Sequence, residues 1–177
     1  MKKRIEAHKT ALTGMLFALA CVLSVAESVL TAPLMLPPGI KLGLANIVVM
    51  YAFLLLGKGP AFLLVVLKAA FSLLTRGVTA GFLSFCGGAA SFLILLLLHW
   101  LCRQKESFWF LSVSGAIGHN LGQIIAASVL LGTGVYGYAP VLVLSGAVVG
   151  TLTSVLLKAL LPALKKLGLI KKDLPEK

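Results

Sequence analysis

The sequence predicts an all-α, polytopic membrane protein, a bundle of six transmembrane helices, and three observations predict it. Of its 177 residues, 59% are hydrophobic and 12% charged, where a soluble globule carries about 45–50% apolar and about 25% charged residues. Mean hydropathy is +1.05. Apolar stretches run from Thr10 almost to Leu161, broken by only a few residues at a time. A crossing helix needs about 20 residues, so this length holds about six spans and leaves no room for a soluble catalytic domain. The chain reads as one transmembrane domain over 1–177, with a basic start (1–9), the bundle (10–161) and a basic tail (162–177).

The first span is expected over Thr10 to Thr31. A basic start before an apolar run also fits a signal peptide. However, Ala18-Leu19-Ala20-Cys21 lacks the Leu expected three residues before a lipoprotein cysteine, and the run continues past it, so a retained helix is expected. From Ala32 to Lys41 the chain is too rich in proline for a helix and too apolar for a loose linker, which predicts a cap over the outer face. Spans two and three, Leu42 to Leu56 and Pro60 to Thr75, are short, but the Gly57-Lys58-Gly59-Pro60 turn between them reads as a hairpin on the basic side. Thr79 to Leu101, Phe108 to Leu131 and Ala139 to Leu161 complete the six. Pro162 to Lys172 mixes Leu and Lys in a manner compatible with an interfacial helix.

Sixteen Lys and Arg residues against five acids would suggest nucleic acid in a soluble protein. Their positions give a different account. Lys2, Lys3, Arg4, Lys9, Lys58, Arg103, Lys105, Lys158, Lys165, Lys166, Lys171, Lys172 and Lys177 lie at every second connection. The alternate connections hold only Lys41 and Arg76. This is the positive-inside asymmetry of an even-numbered bundle, so both termini are expected in the cytoplasm. Cys21, Cys86 and Cys102 stand singly, without the spacing of a zinc site or disulfide framework, and read as small packing residues. No metal and no cofactor is expected.

Small residues mark helix faces that approach closely, because membrane helices associate by packing. Gly81, Ser84, Gly88 and Ser91 share a face of span four; Ser112, Gly115, His119 and Gln123 one of span five; Gly146, Gly150 and Ser154 one of span six. In the first helix Ala7, Ala11, Gly14 and Ala18 keep a smooth stripe suited to internal packing or to a partner's helix.

An ionisable group within a span costs about 2.5–3.5 kcal/mol on insertion scales, so each needs a reason. The group comprises Glu27, Lys68, Arg76 and His119, with Asn120 and Gln123 beside the histidine and Lys41 and Asn46 near the start of span two. Three cations against one carboxylate, in the outer half of the bundle, suit a small ligand with an anionic group. Structural readings stay open. Glu27 can pair with Lys68 or Arg76, Arg76 and Lys41 can snorkel, and His119, Asn120 and Gln123 can tie helices together. His99 beside Trp100 reads as part of an interfacial belt. No Gly-x-x-x-x-Gly-Lys-Ser/Thr loop is present, and the only aspartate is Asp173. ATP hydrolysis by that loop is therefore excluded, and a carboxylate-held Mg2+ site cannot be built on Glu27 alone.

The run Pro38-Gly39-Ile40-Lys41-Leu42-Gly43-Leu44-Ala45-Asn46-Ile47, then Gly115-Ala116, His119-Asn120-Leu121-Gly122-Gln123, Ser145-Gly146 and Gly150, resembles the Gx transporter family, which also carries the name heptaprenyl diphosphate synthase component I. The similarity runs from about Ala11 to Leu161. It implies a six-helix S component of an energy-coupling factor transporter, a non-enzymatic subunit that captures a small anionic micronutrient or metabolite near the outer face. A coupling membrane protein and paired ATPases would be its partners, and Ala7, Ala11, Gly14 and Ala18 resemble the docking motif on the first helix. Glu27, Lys41, Asn46, Lys68, Arg76, His119, Asn120 and Gln123 would form the substrate site. Lys68 stands where relatives are expected to carry arginine, keeping the charge without the planar fork. The rival readings are an accessory membrane component of heptaprenyl diphosphate synthase in isoprenoid or quinone biosynthesis, and a proton-coupled carrier using Glu27 and His119.

Overall fold

The computed structural model describes residues 2–34, 41–102 and 107–166. Six α-helices follow in order: α1 (Lys2–Thr31), α2 (Asn46–Leu55), α3 (Lys58–Arg76), α4 (Val78–Leu101), α5 (Phe108–Leu131) and α6 (Ala139–Lys166). Short 3-10 turns at Ala32–Leu34 and Thr133–Tyr138 follow α1 and precede α6. Among the described residues there is no strand. Five helices are long and apolar enough to cross a membrane, all but α2, and the protein is a helical membrane protein. With 10 residues, α2 rises about 15 Å, half of a hydrocarbon core about 30 Å thick.

Span two was expected to be helical from Leu42, and the helix starts four residues later. The cause is Gly43, whose φ of +96° lies outside the right-handed helical region. Its N–H donates to the Glu27 carboxylate on α1, so residues 41–45 bend round α1 before Asn46 N–H, bonded to Gly43 O at 2.9 Å, begins the helix. At the other extreme, α3 and α4 are separated by Gly77 alone, with φ +88°. Arg103, Lys105, residues 35–40 of the expected cap, including Pro38, Gly39 and Ile40 of the family-like motif, and residues 167–172 of the expected interfacial segment lie outside the described residues.

Helices α3 to α6 pack on one another in sequence order, α2 inserts against α1, α3, α5 and α6, and α1 leans on α2 and α3. Every residue of α2 from Asn46 to Phe53 is buried, so the shortest helix forms the core. It packs with Ala20, Leu64, Val65, Leu95 and Leu111 from four neighbours. Large apolar side chains such as Leu74, Val129 and Val148 point outward, as lipid-facing residues do in a bilayer protein.

The small-residue seams are places of backbone contact. A Cβ on Gly150 would lie 2.5 Å from Val113 Cα, and one on Gly146 3.1 Å from Ile117 Cα, so α5 and α6 touch through their main chains. A Cβ on Gly88 would meet Val65 of α3 at 2.8 Å, and one on Gly122 would meet Ala90 of α4 at 2.6 Å.

Candidate functional site

Helix periodicity assembles the site. Lys68, Ser72 and Arg76 recur every four residues on α3, Ala20, Ser24 and Glu27 share a face of α1, and His119 and Gln123 lie one turn apart on α5. These three faces, with Lys41, Gly43, Ala45, Asn46 and Ser84, line one enclosed cavity near the α1 C-terminus. The free volume at its centre is about 20 Å³, enough for a water molecule and too small for an organic ligand.

Glu27 is 1% exposed. One carboxylate oxygen accepts the Gly43 N–H, and the other, Oε2, has no hydrogen-bond partner. Lys41 Nζ donates to Ser24 Oγ at 2.6 Å and to the Ser24 carbonyl, while its backbone N–H donates to Gln123 Oε1 at 3.2 Å. Arg76 Nη2 donates to Ser72 Oγ at 3.0 Å. Asn46 Nδ2 donates to Ser91 Oγ at 2.9 Å, leaving Asn46 Oδ1 without a partner. Lys68 is buried on α3 and lines the same cavity.

Seven of the eight residues that the sequence singled out as a site therefore meet in one cavity. The eighth, Asn120, does not line it. One residue past His119, about 100° round the helix, its Nδ2 donates to Leu142 O at 2.6 Å and to Ser145 Oγ at 3.2 Å on α6. Asn120 thus ties α5 to α6. Its Oδ1 is 3.3 Å from where a Gly43 Cβ would stand, and His119 Cδ2 is 3.2 Å from the same point. Gly43 is therefore needed both for its backbone angle and for the space above α5.

Sequence reasoning passed over several contributors. Ser24 and Ser72 hold two of the cations, and neither stands out among the serines of apolar helices. Gly87 fits beneath the site, since a Cβ there would lie 2.7 Å from Gln123 Cγ and 2.8 Å from His119 O. Its adjacency to Gly88 was the available signal. The four residues Ala7, Ala11, Gly14 and Ala18 are all exposed, and a Cβ on Gly14 would meet nothing within 4 Å. Thr13, Ala20, Ser24, Glu27 and Thr31 form the buried face of α1 instead. Among the described residues no group of three His, Cys, Asp or Glu side chains could hold a metal ion.

The family profile described as heptaprenyl diphosphate synthase component I matches residues 16–160. No curated protein and no solved structure matches the chain significantly.

Proposed function

The chain belongs to the heptaprenyl diphosphate synthase component I family, the Gx transporter family, and from that premise we propose that it is the substrate-capturing S component of an energy-coupling factor uptake system. One observation carries the reading: three cations converge on a cavity with a single carboxylate, inside a helical membrane protein. Buried charge without a counter-charge is costly, and an anionic ligand supplies what is missing. Lys41, Lys68 and Arg76 hold the anion, His119, Gln123 and Asn46 read its polar edge, and Asn120 keeps α5 in position against α6. The cavity faces outward, all six helices cross the membrane, and both termini lie in the cytoplasm. Capture opens the cavity, because its free volume admits only water in the closed form.

The exposed stripe of Ala7, Ala11, Gly14 and Ala18 is the docking face for the coupling membrane protein, which with two ATPases supplies the energy this chain has no phosphate loop to provide. Affinity purification of the tagged chain from its host in mild detergent tests the whole reading. Two ATPases and a coupling protein are expected, and Gly14→Leu should lose them while the chain stays folded. Recovery of a soluble prenyltransferase in their place would reject transport in favour of the accessory role that the family's name suggests.

A further inference from the structure

A second hollow, an open groove of about 520 Å³, runs between α1 and α3, inside the range of about 300–1,000 Å³ seen for small-ligand sites. It is lined by Val25, Val29, Ala32 and Thr75, and it shares Ser24, Phe71 and Arg76 with the cationic cavity. Val25 and Val29 are exposed to the outside of the bundle. The two hollows therefore lie on either side of a shared wall of Ser24, Phe71 and Arg76, apolar on the side of the groove and charged on the side of the cavity. Ser24 accepts the Lys41 ammonium, and Arg76 is itself only half buried, so positive charge stands at the junction.

Building on the proposed anion-binding role of the cavity, we propose that the ligand is a single-chain amphiphile that reaches the site sideways from the bilayer. Its anionic head sits among Arg76, Lys41 and Lys68, and its apolar chain lies in the α1–α3 groove. The inner cavity, which admits only water as it stands, opens to take the head, while the groove already has room for a chain. Opposite charge seats the head, and apolar burial along Val25 and Val29 holds the chain. Glu27 Oε2, buried and without a protein partner, accepts a hydrogen bond from a head that also carries one donor, as a monoprotonated phosphate monoester does.

The test uses the full chain in phosphatidylcholine nanodiscs at pH 6, where a phosphate monoester is about half monoprotonated. Heats of binding of dodecyl phosphate, butyl phosphate and inorganic phosphate are measured against empty nanodiscs. Dodecyl phosphate is expected to bind at least tenfold more tightly than butyl phosphate. Val29→Trp, filling the groove at an exposed position, should erase that advantage and leave butyl phosphate unaffected. Val22→Trp, exposed on α1 outside the groove, should behave as wild type. Equal affinity for the long and short esters, with Lys68→Gln still abolishing both, overturns the lateral path and spares the anion site. Failure of all three probes to bind, or binding indifferent to Lys68→Gln, overturns both. Displacement of dodecyl phosphate by equimolar phosphatidate in the disc also overturns the proposal, because the groove would then be an ordinary lipid site.

Discussion

Lys68 gives the residue scale its sharpest test, because the same charge should act in opposite directions on stability and on binding. It is buried on α3, with no ion pair within 4.0 Å among the described residues and no hydrogen bond to any of them. A buried charge with no hydrogen bond costs free energy that an apolar side chain of similar volume does not. Lys68→Met should therefore raise the midpoint of thermal unfolding of the ligand-free protein. A hydrogen bond to a charged group is worth about 1.5–3 kcal/mol, so the same variant should lose about ten- to a hundredfold in anion affinity. A lower unfolding midpoint would show Lys68 to be structural.

At the scale of elements, glycines decide how near the helices come. A Cβ on Gly150 would stand 2.5 Å from the α5 backbone at Val113, where no side chain can yield, so Gly150→Ala should destabilise by about 1–3 kcal/mol. A Cβ on Gly14 meets nothing, so Gly14→Ala should be neutral or stabilising by up to about 1 kcal/mol. Thermal unfolding of the two variants side by side checks the contrast. Hydropathy made most of this architecture legible, because five long apolar runs with polar gaps leave few alternatives. The small-residue spacing likewise announced the α5–α6 seam. The start of α2 was hidden, since it depends on a Gly43 N–H captured by Glu27, sixteen positions earlier in the chain. The site was legible as a set, because an ionisable group in a span needs a reason and there are few of them. Its internal division was not. Only the rotation of α5 against α6 separates Asn120, bonded to Leu142 O, from its neighbour His119 in the cavity. Ser24 and Ser72 were silent because a serine in an apolar helix usually bonds its own preceding turn, as Ser28 does with Ser24 O.

For the whole molecule, the open number is how many times the chain crosses the bilayer, and α2 decides it. Its 10 residues give about 15 Å of helix at 1.5 Å each. The five residues 41–45 ahead of it turn instead of extending, with Gly43 at φ +96° and the Asn46 and Ile47 N–H groups bonded to Gly43 O and Leu44 O, so they add well under the roughly 16 Å of an extended stretch and fall short of completing a straight crossing of a core about 30 Å thick. Non-helical backbone at membrane depth survives only when enclosed by protein. Lys41, Gly43 and Ala45 are buried, and the Gly43 and Lys41 N–H groups donate to Glu27 and Gln123. Residues 41–55 therefore have the satisfied backbone that a sixth crossing needs, and because Glu27 near the end of α1 and Arg76 at the end of α3 line one cavity, α1 and α3 run the same way and the chain returns across the bundle between them. Six crossings put the two termini on the same side of the membrane, and five put them on opposite sides. Reporters that are active only in the cytoplasm, fused in turn to each end, should both light up, and a third placed at Lys58 should match them. An inactive C-terminal reporter beside an active N-terminal one would mean that α2 turns back within the bilayer. The positive charges on the tail would then lie outside, and Arg76 at the end of α3 would stand on the opposite side of the membrane from Glu27 near the end of α1, against their meeting in one cavity.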